Sequence, residues 1–125
     1  MAFWIIYLDT SIITDWILFT IMTEKGRKKV EKLIKGPRNS WALIENIFDK
    51  KYVNIADFLT SKYSIIEALG SLKESYLRLH LALDNISLQY YYRLRRELKL
   101  KESDLKYMKE GLCTFLAWAE DTIRI

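Results

Sequence analysis

The stretch that decides the fold is Phe3-Trp4-Ile5-Ile6-Tyr7-Leu8-Asp9-Thr10-Ser11-Ile12-Ile13. Residues 3–8 form an unbroken apolar run rich in aromatic and β-branched side chains. It is short enough for a strand and apolar on both faces, so it is expected as a central, buried strand. Asp9, Thr10 and Ser11 follow at once and are good helix-capping residues. Residues 12–22 are apolar nearly all round, which predicts a buried helix directly after the strand.

Working outward, residues 24–35 set Val30, Leu33 and Ile34 against lysines and predict a second, amphipathic helix that Gly36 and Pro37 stop. Asn39 or Ser40 is placed to cap a third helix with Trp41, Leu43, Ile44, Ile47 and Phe48 on its apolar face. Residues 52–59 read equally as a short strand or as a connection. Thr60 and Ser61 cap a long helix in which Ile65, Leu69, Leu72, Tyr76, Leu79 and Leu83 share one stripe. Asp84 and Asn85 are expected to bend or break it before 86–98. Ser103 is expected to cap a last helix with Leu105, Met108, Leu112, Leu116 and Ala119 inward, and 122–125 to begin a strand. A strand followed by helices with strand candidates between them predicts a helix-rich α/β fold. No Pro/Gly/Ser-rich linker divides the chain, so residues 1–125 are expected as one domain.

Composition supports that expectation. Half of the residues are apolar and 29% are charged, enough for a continuous core and against disorder. Cys113 is the only cysteine and His80 the only histidine, which excludes an internal disulfide and a Cys/His zinc site but leaves oxygen-ligand metals open. A reducing, cytoplasmic setting is expected. Residues 3–22 are long enough to span a bilayer, yet Asp9 and Asp15 interrupt them. Each aspartate near the centre costs roughly 2.5 to 3.5 kcal/mol and each Ile, Leu or Phe returns about 0.3 to 0.6. No membrane association is therefore expected, and no basic leader or cleavage site suggests secretion.

Seven basic residues (Lys25, Arg27, Lys28, Lys29, Lys32, Lys35, Arg38) face two acids, Glu24 and Glu31, over 24–38. A solvated helix face explains them as well as contact with a polyanion does. Tyr90-Tyr91-Tyr92-Arg93-Leu94-Arg95-Arg96 interleaves aromatic and guanidinium groups as single-stranded RNA surfaces do, although packed tyrosines with outward arginines give the same pattern. Cys113 reads as a small core residue.

Asp9 stands where open α/β sheets place their ligand sites, just past a strand and before a helix, and there it can serve a hard cation or merely cap the helix. Glu67, in the second turn of the helix begun by Thr60-Ser61, faces away from the apolar stripe. An ordinary wet face and a cleft ligand look alike at that position.

Together, Leu8-Asp9-Thr10-Ser11 and Thr60-Ser61 followed by Glu67 resemble the PIN-domain nucleases, a family that includes toxin ribonucleases of toxin-antitoxin pairs. The resemblance covers about the first two thirds of the chain. It implies a doubly wound parallel sheet and Mg²⁺- or Mn²⁺-dependent hydrolysis of RNA phosphodiesters. Asp9 and Glu67 would be the catalytic, metal-holding acids, with Thr10 and Ser11 as supporting hydroxyls and an antitoxin protein as a partner. The family's later Asp-led helix and Thr-x-Asp turn have no counterpart before Ile125, so the expectation is a PIN-like domain incomplete at its C-terminal end, or a degenerate one. Asp121 and Asp104 are the late candidates for a third acid. The alternative from another class is a non-catalytic helical interaction module, such as a homodimer.

Overall fold

The computed structural model describes residues 4–22, 28, 36–83 and 102–125. Their elements, in order, are β1 (Trp4–Tyr7), α1 (Thr10–Ile21), α2 (Gly36–Phe48), β2 (Ala56–Leu59), α3 (Lys62–Leu83), α4 (Glu102–Ala119) and β3 (Ile123–Arg124). The chain is thus helix-rich α/β, with a three-stranded sheet and four helices among the described residues. The expected helix over 24–35, the continuation over 86–98 and the Tyr/Arg stretch at 90–96 lie outside the described residues, apart from Lys28, which is helical and exposed.

All strands run parallel in the order β1-β2-β3, with Tyr7 opposite Leu59 and Leu59 opposite Arg124. Both crossovers step across the sheet in the same direction. Right-handed connections of that kind bring their helices to one face. The buried sheet residues agree: Ala56, Phe58 and Ile123 join a single core with Leu8 and with side chains from all four helices. The alternate residues Asp57 and Arg124 are exposed. A doubly wound sheet needs two winding directions, and the described residues show a single one.

β1 departs most from expectation. Among the described residues it is an edge strand, paired only with β2, and all four of its residues are exposed. Its apolar character on both faces predicted a strand flanked on both sides, but no described element lies beyond its outer edge.

α1 is the central helix, packed against α2, α3 and α4. That position explains why its apolar residues continue round the helix, with Ile13, Trp16, Ile17, Leu18 and Phe19 buried. Three side-chain hydrogen bonds tie α2 to it: Trp16 Nε1 donates to Glu45 Oε1 at 3.0 Å, Ser40 Oγ to Asp15 Oδ2 at 3.1 Å, and Trp41 Nε1 to Thr20 Oγ1 at 3.2 Å. α2 begins at Gly36 rather than after Ser40. Pro37 falls in the first turn of the helix as described, where a missing N–H breaks no helical bond, so Gly36 and Pro37 are themselves helical. Lys50, at φ 58°, closes α2, with the Lys51 amide donating to Asn46 O at 3.1 Å.

The faces of α3 and α4 are rotated from the predicted stripes. On α3 the buried positions are Ser64, Ala68 and Leu72, with Ile65 half-buried and Leu69 exposed. On α4 they are Met108, Gly111, Leu112, Phe115 and Ala119, while Leu105 and Leu116 are exposed. Cys113 is exposed as well, a correction to the core position expected for it. Among the described residues no helix is long and apolar enough to cross a membrane.

Gly111 marks a close approach of α4 to α1. A Cβ there would lie 2.9 Å from the Cγ2 atoms of both Ile17 and Ile21, methyls fixed to branched Cβ carbons. At Gly70 on α3 a Cβ meets nothing within 4 Å. Gly70→Ala is expected to stabilise the fold by about 0.5 to 1 kcal/mol through helix propensity alone. In Gly111→Ala the same gain is outweighed by about 1 to 3 kcal/mol of overpacking. Urea unfolding midpoints that move in opposite directions for the two variants check this.

Asp15 brings a pH dependence. Partial burial holds its carboxyl above the usual carboxylate value of 3.8, and the Ser40 hydroxyl partly offsets that. The folded state therefore keeps the proton to higher pH than the unfolded chain does. Its contribution to stability is complete below 3.8 and is lost as the pH rises through the raised folded value. Asp15→Asn is expected to flatten that part of the stability profile and to be more stable than the wild type at neutral pH. Thermal melts from pH 3 to 7 read it out.

Candidate active site at the carboxyl end of β1

Where β1 ends, Leu8 turns inward and is fully buried, and Asp9 stands exposed at the N-cap of α1. Its backbone is extended (φ −75°, ψ 160°), and its carbonyl accepts the amides of Ile12 and Ile13 at 3.1 and 3.3 Å. Its carboxylate Oδ1 accepts the Thr10 amide at 2.7 Å. Thr10 reaches the other way with its side chain, donating from Oγ1 to Glu67 Oε2 at 2.9 Å. One residue therefore holds both acids, one through its amide and one through its hydroxyl. Asp9 and Glu67, far apart in sequence, share one exposed cluster at the sheet's carboxyl end.

Thr60 fixes the distance between the two segments. The sequence suggested a helix cap, but it clamps the sheet instead. Buried at 5% exposure, it donates from Oγ1 to Leu8 O at 2.9 Å and from its amide to Arg124 O at 2.9 Å. Leu8 N in turn donates to Leu59 O at 2.8 Å. All three strands are thereby joined at the level where Asp9 begins. The cap of α3 is Ser61, whose Oγ accepts the Ser64 amide at 3.1 Å. Glu67 stands less than two turns further on, within reach of Thr10.

Beside the acids lies a hydroxyl group that sequence reasoning missed. The Tyr7 phenol shares hydrogen bonds with Ser61 Oγ at 2.8 Å and Ser64 Oγ at 2.5 Å. These bonds, Ser61's foremost, hold the exposed phenol below its ordinary value. The missing signal was the pairing of β1 with β2, which sets Tyr7 beside Leu59 and hence beside the start of α3.

The other candidates are placed differently. Ser11 is exposed on the next position of α1 and joins none of these bonds among the described residues. Asp121 lies in the turn that enters the amino end of β3, whereas Asp9 follows the carboxyl end of β1. In a parallel sheet those are opposite rims, separated by roughly 15 Å along the strands. Asp121 therefore does not join the cluster; it lines a cavity of about 430 Å³ with Tyr52, Asp57 and Arg124 at the other end. Asp104 is the third residue of α4, and its side chain lies outside what the structure describes.

Among the described residues no group of three or more His, Cys, Asp or Glu side chains converges. The pair nevertheless suits a hard cation. Both side chains carry oxygen donors open to solvent, and each has one oxygen oriented by Thr10. Asp9 Oδ2 and Glu67 Oε1 take no hydrogen bond from the described residues. Mg²⁺ is commonly held by one or two carboxylates, with water and substrate phosphate completing its shell. No family model matches the chain, and no curated protein or solved structure matches it.

Proposed function

We propose that this cluster is the metal-holding centre of a PIN-type ribonuclease domain, acting on RNA phosphodiesters with Mg²⁺ or Mn²⁺. The observation that carries the reading is the double role of Thr10, which orients Asp9 through its amide and Glu67 through its hydroxyl at the rim where parallel sheets bind ligands. Asp9 would be a direct ligand. Glu67 would be a second ligand or would orient the attacking water. The metal, when bound, polarises the phosphodiester and lowers the pKa of the water. Thr10 limits the rotamers of both acids, and the Tyr7, Ser61 and Ser64 hydroxyls offer donors to phosphate oxygens beside them. A cytoplasmic setting and an antitoxin-type protein partner belong to the same reading.

The test is hydrolysis of single-stranded RNA by the purified chain in Mn²⁺, with chelator and Asp9→Asn as controls. Cleavage that persists under both refutes the proposal. The second reading, a non-catalytic interaction module, draws on the exposed apolar edge of the sheet. It predicts no cleavage under any condition and no stabilisation by Mn²⁺.

A further inference from the structure

A second set of charged groups converges at the opposite rim of the sheet, on the cavity of about 430 Å³ that Asp121 lines. Its volume falls within the roughly 300 to 1,000 Å³ of small-molecule sites. Asp57, Glu120 and Asp121 line it together with Lys50 and Arg124, a net charge of −1 among the described residues on a chain of net +4. No ion pair joins any of the five to another among the described residues. Asp57 and Arg124 lie on neighbouring strands and on the same face of the sheet, two positions out of register, so their backbones stand roughly 8 Å apart.

Three of these positions break local rules of stability. Glu120 and Asp121 directly follow α4, at the negative end of its dipole, where acids are unfavourable and cations favoured. Neither α4 nor α2, which also ends beside this cavity, carries a basic residue in its last turn. Lys50 holds φ 58°, a left-handed conformation that glycine adopts without cost. Local rules broken together around one cavity mark a site rather than a device for stability. We propose that the cavity binds a free basic α-amino acid, with arginine as the type. A ligand with one carboxylate and two cationic groups mirrors a wall of two bases and three acids. Lys50 and Arg124 take its carboxylate, and Asp57, Glu120 and Asp121 take its ammonium and guanidinium groups. Half-buried Tyr52 and buried Phe58, with ring centroids 6.0 Å apart, wall the cavity for the aliphatic stem between those ends. The site is separate from the Asp9 and Glu67 cluster and does not depend on RNA cleavage.

The test is a titration of the intact, isotope-labelled chain with L-arginine up to about 10 mM, read by amide NMR shifts at Lys50, Asp57 and Asp121, with a Kd expected on the order of 0.1 to 1 mM. Agmatine lacks the carboxylate, citrulline the side-chain charge and Nα-acetylarginine the α-ammonium, and each is expected to bind about 10-fold more weakly. Lys50→Gly is expected to unfold at higher urea than the wild type yet to bind arginine about 10-fold more weakly, which separates loss of the site from loss of the fold. Asp9→Asn, on the other rim, is expected to bind arginine like the wild type. Absence of shifts at the highest concentration overturns the proposal. So does an analogue that binds as tightly as arginine, binding that survives Lys50→Gly, or binding that is lost in Asp9→Asn.

Discussion

Trp16→Ala is expected to cost about 3 to 5 kcal/mol and to leave the chain close to unfolded at 37 °C. Trp16 is fully buried on the central helix. Its ring packs against Phe48, Phe115 and Trp118 at centroid distances of 5.4, 5.7 and 5.9 Å, so one indole joins α1 to the ends of α2 and α4. Its N–H also satisfies Glu45. Truncation opens a cavity bounded by three other rings that cannot collapse into it without moving two helices. A total stability of about 5 to 15 kcal/mol leaves little margin for that loss. Urea unfolding measures it, and Trp4→Ala serves as the contrast. That residue is 65% exposed, so its loss is expected within about 0.5 kcal/mol.

Asp9→Asn and Glu67→Gln are each expected to lower Mn²⁺-dependent RNA cleavage by at least about 100-fold, and Thr10→Val by about 10-fold, with the fold intact in all three. Both acids are exposed, so neutralising them removes charge without opening a core cavity. Thr10→Val keeps the amide that orients Asp9 but removes the hydroxyl that orients Glu67. The loss should therefore resemble that of a group behind a ligand rather than of a ligand itself. Cleavage in Thr10→Val equal to the wild type would place Glu67 outside the chemistry.

Elements with strong local signals were legible in the sequence. The β1–α1 transition follows from an apolar run ending in Asp-Thr-Ser, and α3 follows from a capped, periodic segment. Faces were read less well, because a stripe of long apolar side chains was favoured over the small residues that let helices approach. Ser64, Ala68 and Gly111 are buried where Leu69 and Leu116 were expected. The edge position of β1 depends on strand order, and no local pattern encodes that. The same holds at the candidate site. Asp9 and Glu67 stood out through their neighbours in sequence, but the roles of Thr60 and Tyr7 exist only once β1 lies beside β2. Asp121 stood in the sequence only as a late candidate for a third acid, and the parallel direction of β3 puts it on the far rim.

The account rests on Asp9 and Glu67 forming one cation site, and a double-mutant cycle on Mn²⁺ affinity, read by electron paramagnetic resonance, tests that directly. Groups that share a site lose its affinity together. The double variant Asp9→Asn/Glu67→Gln should then bind no more weakly than the worse single variant. Affinity losses that add independently, or Mn²⁺ binding unchanged in either single variant, would contradict it.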